Sequence, residues 1–128
     1  EKLARDVYLA LYDKWHLTVF SNISKSEQTH MDAIWTLLDR YDLGDPVQGP
    51  GFFTNQHLQE VYDGLIAKGT LSVRDALEVG VLIEETDIED LKAALTRTTH
   101  KDIVRVYTNL KAGSVNHLKA FNSQLANL

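Results

Sequence analysis

Glu1, Glu27, His30, Glu84 and His117 each interrupt a helical stripe that is otherwise apolar, at positions that should face the middle of a bundle. An ionised carboxylate in hydrocarbon is so unfavourable that it is normally neutralised, paired or bound to a cation. Carboxylate mixed with imidazole is the ligand set that first-row metals accept, so the chemistry these residues suggest is metal binding. Glu27 and His30 form Glu-x-x-His, and on a helix residues three apart lie on one face with Cβ atoms about 5–6 Å apart, close enough to hold one cation. A lone pair of this kind is a weak signal. Inward positions in four successive stripes are a stronger one.

The elements that must carry these side chains follow from hydrophobic period. Residues 1–15 place Ala4, Tyr8, Leu11 and Trp15 on one face, with Glu1 at its start. A second helix, capped by Ser21 or Ser24, should run to about Tyr41 with Ile23, Glu27, His30, Ile34, Leu37 and Leu38 on one side. Residues 42–54 contain Pro46, Pro50 and glycines at 44, 49 and 51, so this stretch is expected to be a linker. Gln56 to Lys68 regains helical period through Leu58, Val61, Tyr62 and Leu65, and Gly69 is expected to cap its end. Ser72 should cap a long helix to about Arg97 with the stripe Leu77, Val81, Glu84, Ile88, Leu91 and Leu95. Glu85 falls with Glu78 and Glu89 on the opposite, polar side. Thr98 or Thr99 should cap the last helix, to about Leu125, with Ile103, Tyr107, Leu110, Ser114, His117 and Phe121 in register.

No segment alternates as a strand would, which makes the chain all-α. Its 128 residues, 44% hydrophobic and 24% charged, suffice for one domain, 1–128, with one core. A formal charge of −5 with scattered Lys and Arg argues against nucleic acid as a partner. No stretch approaches the run of about 18 apolar residues that spans a bilayer, and no secretory leader opens the chain, so a soluble domain is expected. The chain starts on helix-like sequence without an initiator Met, which predicts residues upstream of Glu1 and leaves a leader or anchor, and hence cytoplasm or export, open. Zero cysteines exclude disulfides, thiolate metal sites and cysteine nucleophiles without fixing the compartment. Phosphate loops and nucleophile elbows are missing, and several carboxylates in one layer suit iron or manganese better than a haem.

The two halves echo each other: a helix with an inward Glu, then one with an inward His preceded three residues earlier by a polar side chain. This order resembles the ferritin-like superfamily, in which four helices enclose two metals with Glu, Glu-x-x-His, Glu and Glu-x-x-His. Glu1-Lys2-Leu3-Ala4-Arg5-Asp6-Val7-Tyr8 looks like the Glu-x-x-Ala-Arg-x-x-Tyr of rubrerythrin-type first helices. Residues 1–8, 19–30, 79–91 and 113–121 together resemble a prokaryotic ferritin-like family of unassigned function. The resemblance implies a four-helix bundle with a short extra helix in the crossover between helices two and three. It implies di-iron or manganese chemistry with dioxygen or peroxide, a separate electron donor in place of a rubredoxin-like cysteine domain, and self-association into a homo-oligomer. Glu1, by that likeness, is a ligand.

One position departs from the pattern. Ser114 stands where a fourth-helix Glu is expected, and Asp87, three after Glu84, is the reserve acid that could replace it. A mononuclear site, or a metal-free bundle serving as an assembly or interaction module, therefore stays open. Plainer roles are available too: Glu27 with His30 as a buried hydrogen-bonded pair, Glu1 as a frayed end, His117 bonded to Ser114 or a tyrosine, Ser114 as small-residue packing beside Gly113. Tyr8, Tyr107, Trp15 and Trp35 read as core or rim aromatics, His16, His57 and His100 as solvated, and Arg5 as a partner for an inward acid.

Overall fold

The computed structural model of the chain describes residues 1–41 and 49–128; the expected linker residues Gly44 and Pro46 lie outside them. Within the described residues the chain is all-helical: α1 (Lys2–Trp15), α2 (Thr18–Arg40), α3 (Gln56–Gly69), α4 (Val73–Leu95) and α5 (Lys101–Ala126). α1 packs on α2 and α4 on α5; α2 meets α5 and α1 meets α4, so these four close a ring, and α3 lies across α1 and α4.

Local chemistry sets the helix ends. His16 leaves α1 in the left-handed conformation at φ 56°, its N–H bonded to the Tyr12 carbonyl, and only Leu17 separates it from α2. This tight reversal, rather than a cap by Ser21 or Ser24, starts α2 at Thr18; both serines sit inside the helix, where the Ser24 hydroxyl bonds back to the Ser21 carbonyl at 2.8 Å. Asn55 caps α3, accepting the Leu58 N–H at 3.1 Å. Ser72 caps α4 as expected, accepting the Asp75 N–H at 3.0 Å. α5 begins one residue later than a Thr99 cap would place it, with His100 in the cap position. Asp102 in its first turn binds Arg40 at 2.7 Å and Tyr41 at 2.9 Å, tying the end of α2 to the start of α5.

Gly69 does not cap α3 by a positive φ. It is the last helical residue, and its value is room: an added Cβ would lie 2.7 Å from Leu11, while its carbonyl accepts the Trp15 indole N–H at 2.8 Å. The core centres on Tyr8, Phe20 and Phe121, all fully buried, with ring centroids 5.3–6.0 Å apart. Gly80 on α4 admits the Phe121 ring, which an added Cβ would meet at 2.6 Å. Trp35, expected in the core or at its rim, is 51% exposed on the distal half of α2.

Because Phe121 fills the space where α1, α2 and α4 converge, Phe121→Ala should cost about 3–5 kcal/mol of unfolding free energy. Urea denaturation checks this; a loss below about 1 kcal/mol would mean that the packing described is wrong.

Candidate metal centre

The four ring helices aim polar side chains at one layer of the bundle. Glu27 and Glu84 are completely buried, and His117 is 8% exposed. Period-three spacing on α2 brings His30 Nδ1 to 3.2 Å from Glu27 Oε2. The same nitrogen lies 3.1 Å from Glu1 Oε2, so Glu1 is pinned at the head of α1, its side chain only 5% exposed, rather than frayed. On the other side His117 Nδ1 stands 3.0 Å from Glu27 Oε1 and 3.3 Å from Glu84 Oε1. The two imidazoles stack with centroids 5.8 Å apart, flanking Glu27.

Two triads result, Glu1–Glu27–His30 and Glu27–Glu84–His117, each with ligand atoms within 4.8 Å of one another and with Glu27 common to both. Glu1 Oε1, Glu27 Oε1 and Glu84 Oε2 are buried without a hydrogen-bond partner; the close His117–Glu27 approach lacks hydrogen-bond alignment. Orphaned buried carboxylate oxygens are costly, and a cation is what such atoms are suited to receive. The donor set of carboxylate oxygens and imidazole nitrogens therefore fits a divalent metal.

Neighbouring groups orient these side chains. The Tyr8 hydroxyl donates to Glu84 Oε1 at 2.9 Å, and burial with the nearby Glu84 and Glu27 charges pushes its pKa well up, keeping it a donor. His117 Nε2 lies 3.0 Å from Ser26 Oγ, which leaves Nδ1 facing the carboxylates. Gly113 makes room for the His30 ring: a Cβ there would sit 2.9 Å from it. The Ser114 hydroxyl donates to Asp87 Oδ2 at 2.8 Å. Asp87 stands beside Glu1, outside both triads, and burial followed by the Glu1 charge raises its carboxyl to about 6.

Without metal the imidazoles act as internal counter-ions. Burial alone would lower the His30 pKa, yet hydrogen bonds to Glu1 and Glu27 raise it to about 10. The His117 pKa reaches about 9, where burial is outweighed by the close carboxylates of Glu27 and Glu84. Burial pushes the Glu27 carboxyl up, but His117 and His30 prevail and hold it below its ordinary value.

Period located Glu1, Glu27, His30, Glu84 and His117 together, and the structure brings all five into one cluster. It does not mark Ser26, whose signal is only adjacency to Glu27 one turn before His30. Nor does it mark Asp6, which is 2% exposed and held by Lys2 at 2.6 Å, Arg5 at 2.8 Å and the Gly51 N–H at 3.1 Å. Arg5 thus serves Asp6 and Gln28, away from the cluster. His117 meets Ser26 rather than Ser114. His16, His57 and His100 are exposed.

The family model described as "Uncharacterized protein domain (DUF2202)" matches residues 1–127. The chain is 51% identical over 129 residues to "Uncharacterized protein MJ0754" of Methanocaldococcus jannaschii, covering 99% of this chain and 70% of that protein. The crystal structure of hypothetical protein MJ0754 from Methanococcus jannaschii DSM 2661 superposes with a TM-score of 0.96 at 51% identity, over 98% of this chain and 73% of that one.

Two measurements test the geometry. Both histidines bind their protons more tightly folded than unfolded, so in chelator their stabilisation is complete below about 6.5 and is lost as pH rises through about 9–10. The thermal midpoint should fall across that window, and His30→Gln/His117→Gln should flatten the fall; an unchanged slope in the double variant would exclude the pairing. Gly113→Ala gains about 1 kcal/mol of helix propensity yet should displace His30, seen by NMR as a fall of its imidazole titration from about 10 toward the ordinary histidine range.

Proposed function

The chain belongs to the DUF2202 family, and on that premise we propose that Glu1, Glu27, His30, Glu84 and His117 ligate a two-cation centre in a ferritin-like bundle, with Asp87 beside it. The proposed activity is ferrous oxidation or the reduction of peroxide or dioxygen. The observation that carries this reading is the pair of triads sharing Glu27, with three orphaned carboxylate oxygens among them. The order Glu, Glu-x-x-His, Glu, His along four helices that close a ring supports the ferritin-like likeness.

Iron or manganese bound there would supply a one-electron redox couple and open positions for dioxygen or peroxide. The chain's own residues do the rest. Glu27, common to both triads, offers negative charge between the two positions. Tyr8 fixes the rotamer of Glu84, and Ser26 fixes the ring of His117. Asp87, held by Ser114 and raised to about 6, takes up a proton beside Glu1 in mildly acid solution. Residues 1–128 hold no cysteine to bind an iron–sulfur centre, so for peroxide or dioxygen reduction the reading places the electron donor outside them.

The metal-free interaction module is the second reading, favoured by one observation: each imidazole already stands between two carboxylates, and Ser114 occupies the place of the missing acid.

Purification without chelator, anaerobic addition of ferrous, manganous or cobaltous ion, and then exposure to oxygen separate the two. Expected are uptake of about two ions per chain, a ferric absorption band after oxygen, and loss of both in Glu27→Gln/His30→Ala with the helical circular dichroism retained. Uptake at neutral pH should release about one proton per imidazole, because ligation needs the neutral ring, and affinity should rise with pH. Absent stoichiometric uptake, or a double variant that keeps its metal, would overturn the proposal.

A further inference from the structure

Beside the acid cluster, between the first turn of α1, the start of α3 and α4, lies a cavity of about 690 Å³. That is within the range of about 300–1,000 Å³ typical of small-molecule sites. Its wall is predominantly apolar, with Leu3, Phe53, Leu58, Val61 and Leu82 contributing hydrocarbon. Its acidic groups are Glu1, which belongs also to the acid cluster, Asp87 beside it, and Asp90.

The wall is pre-formed. The Lys2 ammonium donates to the carbonyls of Gly49 at 3.0 Å and Phe52 at 2.8 Å, pairs with Asp6 at 2.6 Å and stands 3.9 Å from the centre of the Phe53 ring. The Phe53 N–H is bonded to Gln59 Oε1 at 2.9 Å, and Gln59 returns a bond to the Gly51 carbonyl at 2.8 Å. Residues 49–53 are thus fastened to both α1 and α3, and little ordering is left for a ligand to induce. The same contacts consume the Lys2 charge. An anionic ligand would meet Glu1, Asp87 and Asp90, while Lys2, the cation among the described wall residues, is already engaged, and like-charge juxtaposition is strongly disfavoured.

We infer that this cavity binds an uncharged, hydrocarbon-rich small molecule that lays its chain along the Leu58, Val61 and Leu82 wall and presents one hydroxyl group, as a donor, to Glu1 and Asp87. Hydrocarbon burial supplies the affinity and the acidic end sets the orientation and excludes fatty anions. Binding of this ligand needs no metal, so it stands apart from the redox reading.

The test uses the full chain in chelator, with the neutral dye N-phenyl-1-naphthylamine as probe and 1-octanol and octanoate as competitors of equal chain length. Expected are saturable dye fluorescence, displacement by octanol, and displacement by octanoate weaker by about tenfold or more. Val61→Trp and Leu82→Trp, which fill the cavity, should each weaken dye binding by about tenfold, whereas Trp35→Ala, which removes an exposed aromatic on α2, should not. Leu82 is 50% exposed, so its replacement leaves the core alone. Methyl NMR shifts of Leu58, Val61 and Leu82 on octanol titration provide a readout independent of any variant. Non-saturable dye binding, equal displacement by octanoate, insensitivity to both tryptophan variants, or unmoved methyl signals would each overturn the inference.

Discussion

Glu27 is a charged group with no access to water, and the bundle is arranged around that fact. Its side chain lies at the meeting of two imidazoles contributed by α2 and α5, and its carboxyl is held below the usual range by them despite burial that pushes the other way. Removing either histidine would leave a buried negative charge short of a counter-ion, which is among the most expensive defects a core can carry. The remaining features serve this one group: Gly113 leaves space for one ring, Ser26 turns the other, and Tyr8 steadies Glu84 across from it.

What the sequence disclosed and what it hid divide along physical lines. Helical period is a local property, so the existence of five helices and the inward pointing of Glu27, Glu84 and His117 could be read from spacing alone. Ends were less legible. A left-handed residue at His16 begins α2 earlier than any serine cap, and nothing in the residue type announces that conformation. Gly69 shows the converse, a glycine that looks like a cap and is instead a gap for Leu11. Asp6 was invisible because an acid flanked by Lys2 and Arg5 looks like a wet surface; its burial involves the Gly51 N–H, which folds back from far along the chain to bond its carboxylate.

The position of Ser114 illustrates how a departure from a pattern is absorbed. On α5 that position is held by a serine, and Asp87 of α4 takes its hydroxyl as a donor. The carboxylate so held lies at the edge shared with the apolar cavity, where a ligand could meet it.

The pairing of α1 with α2 and of α4 with α5 has a consequence for how the chain reaches its final state. The Glu1–Glu27–His30 triad comes from the first pair alone, whereas the other needs Glu27 from the first pair and both Glu84 and His117 from the second, a sequence separation of ninety residues between Glu27 and His117. Helices and their neighbouring contacts assemble early and fast, whereas contacts between such distant partners wait for loop closure. Until α5 packs, Glu84 lacks the imidazole of His117 and Glu27 has only that of His30, so the inner half of the cluster forms when α5 docks on the other helices.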